Sequence, residues 1–269
     1  MKNNAEYSVV VRIQPEDMED LKTAKWLLEN PGIAARITDL LGVPIQKGFE
    51  LLPRSWNVAV GAVTRMVLFM SVNAAVSTMD SKQKNESSNL WHKLAVAATG
   101  GIGGFFGLPA LLIELPVSTT IMLRSIADIA RSEGEHIHSS ESKIACIEVF
   151  ALGGLSKGED AAGTGYFAVR AALAKTVAKA AEYITEKGIA EEGAPTLIRL
   201  IFLVADRFSI QISEKVAAQA LPAIGAVGGA LINTLFIDHF QNMAHGHFVV
   251  RRLERKYGIS TVMNAYCSI

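Results

Sequence analysis

Twenty consecutive residues without a charge, Leu94 to Ile113 (LAVAATGGIGGFFGLPALLI), constrain this chain more than any other stretch of it. At about 1.5 Å per residue, a helix of that length just crosses a hydrocarbon core of roughly 30 Å. The run lies between Lys93 and Glu114 and holds five glycines and one proline. A second uncharged run, Val216 to Ile237, repeats the feature. Such runs either contact lipid or form an unusually close-packed protein centre, and the residues admit both.

Glycine spacing explains how close that packing can be. Gly100 and Gly104 are four apart, as are Gly103 and Gly107, and Gly225 and Gly229 repeat the interval with Gly228 alongside. Glycines at that spacing share one helix face and let a second backbone approach. Each costs about 1 kcal/mol against alanine inside a helix, so the clusters need a packing or binding reason. A nucleotide loop is a poor reason. The GxGxxG pattern that starts at Gly101 meets Phe106 where its last glycine belongs, and the phosphate-loop lysine is missing.

Composition narrows the setting. Lys plus Arg equals Asp plus Glu at 26 each, so no global field draws the chain to nucleic acid or to an anionic surface, and any attraction is local. A mean hydropathy of +0.27 falls between an ordinary soluble enzyme and a polytopic membrane protein. The two cysteines, Cys146 and Cys267, form no framework or metal spacing and suit a reducing cytoplasm. The amino-terminal residues lack the apolar core and cleavage site of a signal peptide, which places the chain inside the cell.

Helical periodicity dominates. After a strand-like piece at 7–13, helices are expected at 16–29, 33–41, 56–79, 90–114, 116–133, 141–151, 166–187, 196–220, 223–240 and 247–257, with Pro116 in a first turn and Gly188 and Gly258 at helix ends. Residues 80–89, DSKQKNESSN, contain no apolar member and read as a linker. The expectation is a mainly α, multi-helix bundle with two glycine-rich apolar central helices. Its parts are an N-terminal helical region at 1–79, the polar linker at 80–89 and a helical domain at 90–269. Arg65 inside the helix at 56–79 argues for a core helix there, because a central arginine costs about 2.5 to 3.5 kcal/mol in lipid.

Several polar groups are candidates for a site. Thr120, Arg124, Asp128 and Arg131 succeed one another by four, four and three, forming one polar stripe beside Glu114. If the stripe faces the core it needs partners, from Glu114 or Asp206, and it is then an ion-pair network or a grip for a phosphate or carboxylate. Arg251, Arg252, Arg255 and Lys256 make a local basic patch that suits a helix end and also anionic lipid. Lys175, Lys179, Glu182 and Glu186 read as a solvated face. The spacings of His239, His245 and His247 do not suit a helical zinc pair, and His136 and His138 lack a third ligand. No metal or cofactor is implied. There is no GxSxG, and neither cysteine has a neighbouring histidine in sequence, so an enzyme is disfavoured.

Four segments together resemble the EcsC protein family: GGFFGLPALLIELPVSTTIMLRSIADIAR (Gly103 to Arg131), the pair Tyr166 and Arg170, AAQALPAIGAVGGALIN (Ala217 to Asn233), and HFVVRRLERKYG (His247 to Gly258). The resemblance covers Leu90 to the carboxyl end and is less clear before the polar linker. It implies a bacterial protein of a family named for a neighbour of the two components of an ABC exporter, and it carries no catalytic residues. The expectation is an accessory protein, peripheral on the inner face of the membrane, whose partners are lipid or ABC transporter components and not nucleic acid. The alternative is a soluble helical enzyme or small-ligand-binding protein built on the Glu114, Arg124, Asp128 and Arg131 stripe.

Overall fold

The computed structural model of the chain describes residues 12–29, 32–80, 108–153, 165–187, 195–221 and 225–269. Ten helices occupy them, with no strand among the described residues: α1 (Pro15–Glu29), α2 (Ile33–Leu41), α3 (Gln46–Glu50), α4 (Trp56–Asp80), α5 (Leu108–Ser132), α6 (Ser140–Leu152), α7 (Gly165–Lys187), α8 (Pro195–Gln219), α9 (Gly225–Tyr257) and α10 (Ile259–Ser268). The mainly α bundle is the expected class. The strand-like piece lies outside the described residues up to Val11, and Arg12 to Gln14 are irregular.

Two helices organise the rest. Every residue of α6 from Ser142 to Leu152 is buried, as an apolar helix with no polar face must be. It packs against α5, α7, α8 and α9. Its start is fixed by Ser139, whose side chain accepts the Ser142 backbone N–H at 3.2 Å. Helix α9, at 33 residues, is about 50 Å long and reaches α1, α2, α5, α6, α8 and α10. Its buried Ile232, Phe236, Phe240, Met243 and His247 recur at three- and four-residue steps, so one face stays inside from Ile232 onward. Phe240 meets Phe150 of α6 at 5.4 Å between ring centroids, and Phe208 of α8 meets Phe150 at 4.7 Å. The N-terminal helices close on this centre: α1 lies along α9, and α4 lies against α5 and α8.

Three boundaries differ from the sequence expectation. Helix α9 is continuous where two helices ending at 240 and starting at 247 were expected, because Phe240, Met243, Ala244 and His247 bury on one face. Gly246 sits in that join, and a Cβ there would lie 2.6 Å from Leu28 Cγ and 2.9 Å from the Ala24 carbonyl oxygen of α1. Pro116 lies inside α5 and not in a first turn. Proline has no N–H to give and crowds the preceding turn. The helix continues because Leu115, Val117 and Thr119 are buried around it and the Thr120 hydroxyl donates to the Pro116 carbonyl at 2.7 Å. The short α3 and α10 were not expected; Gly258, at φ 86°, ends α9 and turns the chain into α10.

The expected linker lies outside the described residues except for Asp80, as do residues 94–107 of the first uncharged run, including Gly100, Gly103, Gly104 and Gly107. Gly225, Gly228 and Gly229 begin α9. No helix among the described residues is long and apolar enough to cross a membrane.

Candidate functional site

Helix α7 presents two kinds of surface. Tyr166, Val169, Leu173, Ala180 and Ile184 are buried in the core. A second face carries Ala171, Ala174 and Ala178, all exposed, where the side chain ends at Cβ and leaves room beside the helix. The result is a groove of about 760 Å³ between α7, the start of α6, the end of α9 and α10. That volume falls within the range of small-molecule sites, about 300 to 1,000 Å³. Phe167 and Val177 extend the apolar wall on α7, and Ile259 and Met263 face it from α10.

The inner end of the groove is ionic. Arg170 of α7 grips Glu254 of α9 with two N–H···O bonds of 2.7 and 3.0 Å, a bidentate pair. Arg170 Nη1 also donates to the Tyr166 hydroxyl at 3.3 Å, and that hydroxyl lies 3.0 Å from His247 Nδ1. Since Arg170 only donates, the tyrosine O–H is directed to a neutral imidazole. Burial keeps His247 uncharged by pushing its pKa well down, with Arg170 and Arg251 adding to the effect. Beside this cluster, Arg251 donates to Glu135 at 2.9 Å and to Glu141 at 3.1 Å.

Glu148, in the middle of α6, stands apart. It is 5% exposed and lines the groove, yet its carboxyl forms no hydrogen bond or ion pair among the described residues. Burial raises its pKa to about 7, against the opposing influence of Arg170 and Arg251 and with help from Glu254 and Glu141. An unpartnered, nearly buried carboxyl facing a cavity is able to accept a ligand's hydrogen bonds or exchange a proton near neutrality.

The basic patch is present and neutralised. Arg251 and Arg255 both bind Glu135, which also accepts the Ser142 hydroxyl at 2.7 Å. Burial alone would raise the Glu135 pKa, but the bonds from Arg251 and Ser142 outweigh it and hold the carboxyl below its usual range. Arg252 meets Asp20 at 2.6 Å and Glu133 at 2.8 Å, and Lys256 meets Asp17 at 2.6 Å. Asp17 accepts the Tyr257 hydroxyl as well, at 2.5 Å. All four cations therefore tie the end of α9 to α1 and to the α5–α6 connection.

The polar stripe points outward. Arg124, Asp128 and Arg131 are exposed, with Arg131 bonded to Asp128 at 3.3 Å, because α5 turns Met122, Leu123, Ile126 and Ala130 to the core. The expectation of a core-facing stripe is corrected for Arg124, Asp128 and Arg131, which face outward, whereas Glu114 and Thr120 are half-buried. Thr120 bonds its own helix and lies 3.4 Å from Ser71 of α4. Glu114 accepts from Lys215 at 2.6 Å, and that lysine is fully buried beneath the Phe236 ring at 4.8 Å. Asp206 pairs with Arg65 on the surface between α4 and α8. The histidines scatter: His239 lies 3.1 Å from the Gly153 carbonyl, and His245 is exposed. No group of three or more His, Cys, Asp or Glu able to hold a metal forms among the described residues.

Sequence reasoning missed Glu148, Glu254 and Glu135 as site residues. For Glu148 there was a signal, a single carboxylate within the apolar stretch IACIEVFAL, where a charge at a buried position needs a reason. Glu254 and Glu135 carried none, since both sit among charged neighbours and become special only through contacts 84 and 116 residues away in sequence.

The family model described as EcsC protein family matches residues 30–253. The match thus includes most of the region before the linker, which the quoted segments had left aside. No curated protein and no solved structure matches the chain.

Proposed function

The chain belongs to the EcsC protein family, and from that premise we propose that it is an accessory binding protein that holds a single-chain amphiphile, of the lipid class, in the groove between α6, α7, α9 and α10. The observation that carries this reading is the pairing of an apolar wall with a polar inner end. From Ala171 to Ala181 the wall on α7 runs about 15 Å at helical rise, comparable with an extended dodecyl chain. Burying such a chain is favourable at roughly 25 cal/mol per Å² of apolar surface, and the Glu148, Arg170 and Glu254 end supplies the few polar groups that orient it. Displacement of a fluorescent dodecyl probe from the full chain is the test. Ala174→Trp fills the exposed wall without touching the core and is expected to abolish binding; unchanged binding would refute the reading.

A peripheral position on the inner membrane face is a second element of the proposal, supported by exposed apolar side chains away from the groove. Val58, Met66, Phe69 and Met70 of α4 are exposed, with Phe202 and Ile210 on the adjoining α8. Arg65 lies over the Phe202 ring at 5.4 Å, which brings the two helix faces together. The basic patch does not support this attachment, since its cations are paired with carboxylates. Flotation with vesicles of phosphatidylethanolamine and phosphatidylglycerol checks it: Met66→Ser with Phe69→Ser should release the protein, and a wild-type chain that stays unbound would exclude membrane attachment.

A further inference from the structure

Six charged side chains line the groove, and they do not balance. Glu141, Glu148, Glu182 and Glu254 contribute four carboxyls against the guanidiniums of Arg170 and Arg251. Both guanidiniums are already committed, Arg170 in its bidentate pair with Glu254 and Arg251 to Glu135 and Glu141. An incoming carboxylate or phosphate would have to break one of those pairs and would face the surplus negative charge. Neither Glu148 nor Glu182 has a hydrogen bond among the described residues, but Glu182 is exposed, so Glu148 is the buried acceptor left without one. What the inner end lacks is a positively charged donor not already committed to a carboxylate.

We propose that the groove selects an amphiphile whose polar end is a primary ammonium, with Glu148 accepting its N–H bonds and the alanine face of α7 covering its apolar chain. This rests on the reading of the groove as an amphiphile site and adds the identity of the polar group. An ammonium presents three N–H donors. One satisfies Glu148 and two remain for neighbours such as Glu254, which lines the same groove. The buried, uncompensated carboxyl is costly while the groove is empty, and an opposite charge beside it restores the ionised form. The upward displacement of Glu148 to about 7 by burial agrees with this geometry.

Calorimetric titration of the full chain with dodecylammonium, dodecanoate and dodecanol, each below its micellar concentration, tests the inference. Lysophosphatidylethanolamine, in which the ammonium belongs to a lipid headgroup, is the fourth ligand. The expectation is that dodecylammonium, lysophosphatidylethanolamine or both bind at least roughly tenfold more tightly than dodecanoate and dodecanol, the scale of one charge-assisted hydrogen bond. Glu148→Gln should erase that preference while leaving the fold unchanged by circular dichroism. Ala174→Trp should abolish binding of every ligand. Equal or tighter binding of dodecanoate that Ala174→Trp still blocks would overturn the ammonium inference and leave the amphiphile groove standing. A preference for the amines that persists in Glu148→Gln would also overturn it. Binding of none of the four ligands would overturn both readings together.

Discussion

Replacing Glu148 by glutamine should stabilise the protein increasingly as pH rises from about 4.5 to about 7, and fully above that. The carboxyl is 5% exposed and has no hydrogen-bond partner among the described residues. Burial carries its pKa from the ordinary 4.5 to about 7. Between those values the folded chain holds a proton that the unfolded chain has released, so stability falls as pH rises through the window. At about 1.4 kcal/mol per tenfold change in proton affinity, the displacement amounts to about 3 kcal/mol once both states are ionised. Glutamine has nearly the same shape and never ionises. Urea unfolding of wild type and Glu148→Gln across pH 4 to 8 should therefore give curves that coincide near pH 4 and diverge to about 3 kcal/mol by pH 8, glutamine being the more stable. Glu214, also raised to about 7 by burial, contributes equally to both proteins and cancels in the difference. A difference independent of pH, or a glutamine variant that is less stable at pH 8, would refute the reasoning, because the carboxylate would then have a compensating partner.

Other perturbations separate packing from ionic contributions. A Cβ at Gly48 would fall 2.0 Å from the Ala217 carbonyl oxygen, so Gly48→Ala should push α3 off α8 and lower unfolding stability by about 1 to 3 kcal/mol. Gly61→Ala, in α4 with nothing within 4 Å of the new methyl, should instead raise it by about 0.5 to 1 kcal/mol in the same urea series. Glu135→Gln removes the carboxylate charge shared by Arg251 and Arg255, which keep Glu141 and the Glu133 carbonyl respectively, and should cost about 1 to 3 kcal/mol at pH 7. Because Glu135 is held below its usual range, its contribution is complete above the ordinary carboxylate value and is lost as pH falls through the depressed one, so thermal melts of wild type and variant should converge in acid. Tyr166→Phe removes the hydroxyl between Arg170 and His247 Nδ1 and should cost about 1 to 3 kcal/mol by chemical unfolding.

Much of the fold was legible in the sequence because the apolar spacing and the local stop signals agree. Pro15 opens α1, the Asn30-Pro31-Gly32 segment separates it from α2, and Gly258 ends α9. The failures came where a local rule met a long-range one. Proline usually starts or breaks a helix, yet Pro116 is carried through because buried residues flank it on both sides. The stretch QNMAHG looks like a break between helices, but its Met243 and Ala244 face the core and its Gly246 admits α1. The stripe from Thr120 to Arg131 was correctly spaced as one face; spacing gives periodicity and no direction. Direction came from where the other residues of α5 could bury. The groove was less legible still, since α6, α7, α9 and α10 each supply only a few of its residues.

The end of α9 shows why equal numbers of opposite charges do not make a featureless electrostatic surface. Arg251, Arg252, Arg255 and Lys256 read along the chain as a positive cluster, but they meet Asp17, Asp20, Glu133, Glu135 and Glu141 from elements remote in sequence. Each cation is answered within a few ångströms, so the patch projects little field beyond a Debye length of about 8 Å. What survives the cancellation is the reverse of the sequence impression. Of the charges lining the groove, the carboxyls outnumber the guanidiniums, and Glu148 is left with neither a salt bridge nor a hydrogen bond among the described residues. A net-neutral chain thus uses the cations at the end of α9 to fasten that helix to its neighbours and leaves one buried acid facing the groove without a bond among the described residues. That asymmetry moves the chemically active face from the cationic helix end to the carboxyl on the helix beneath it.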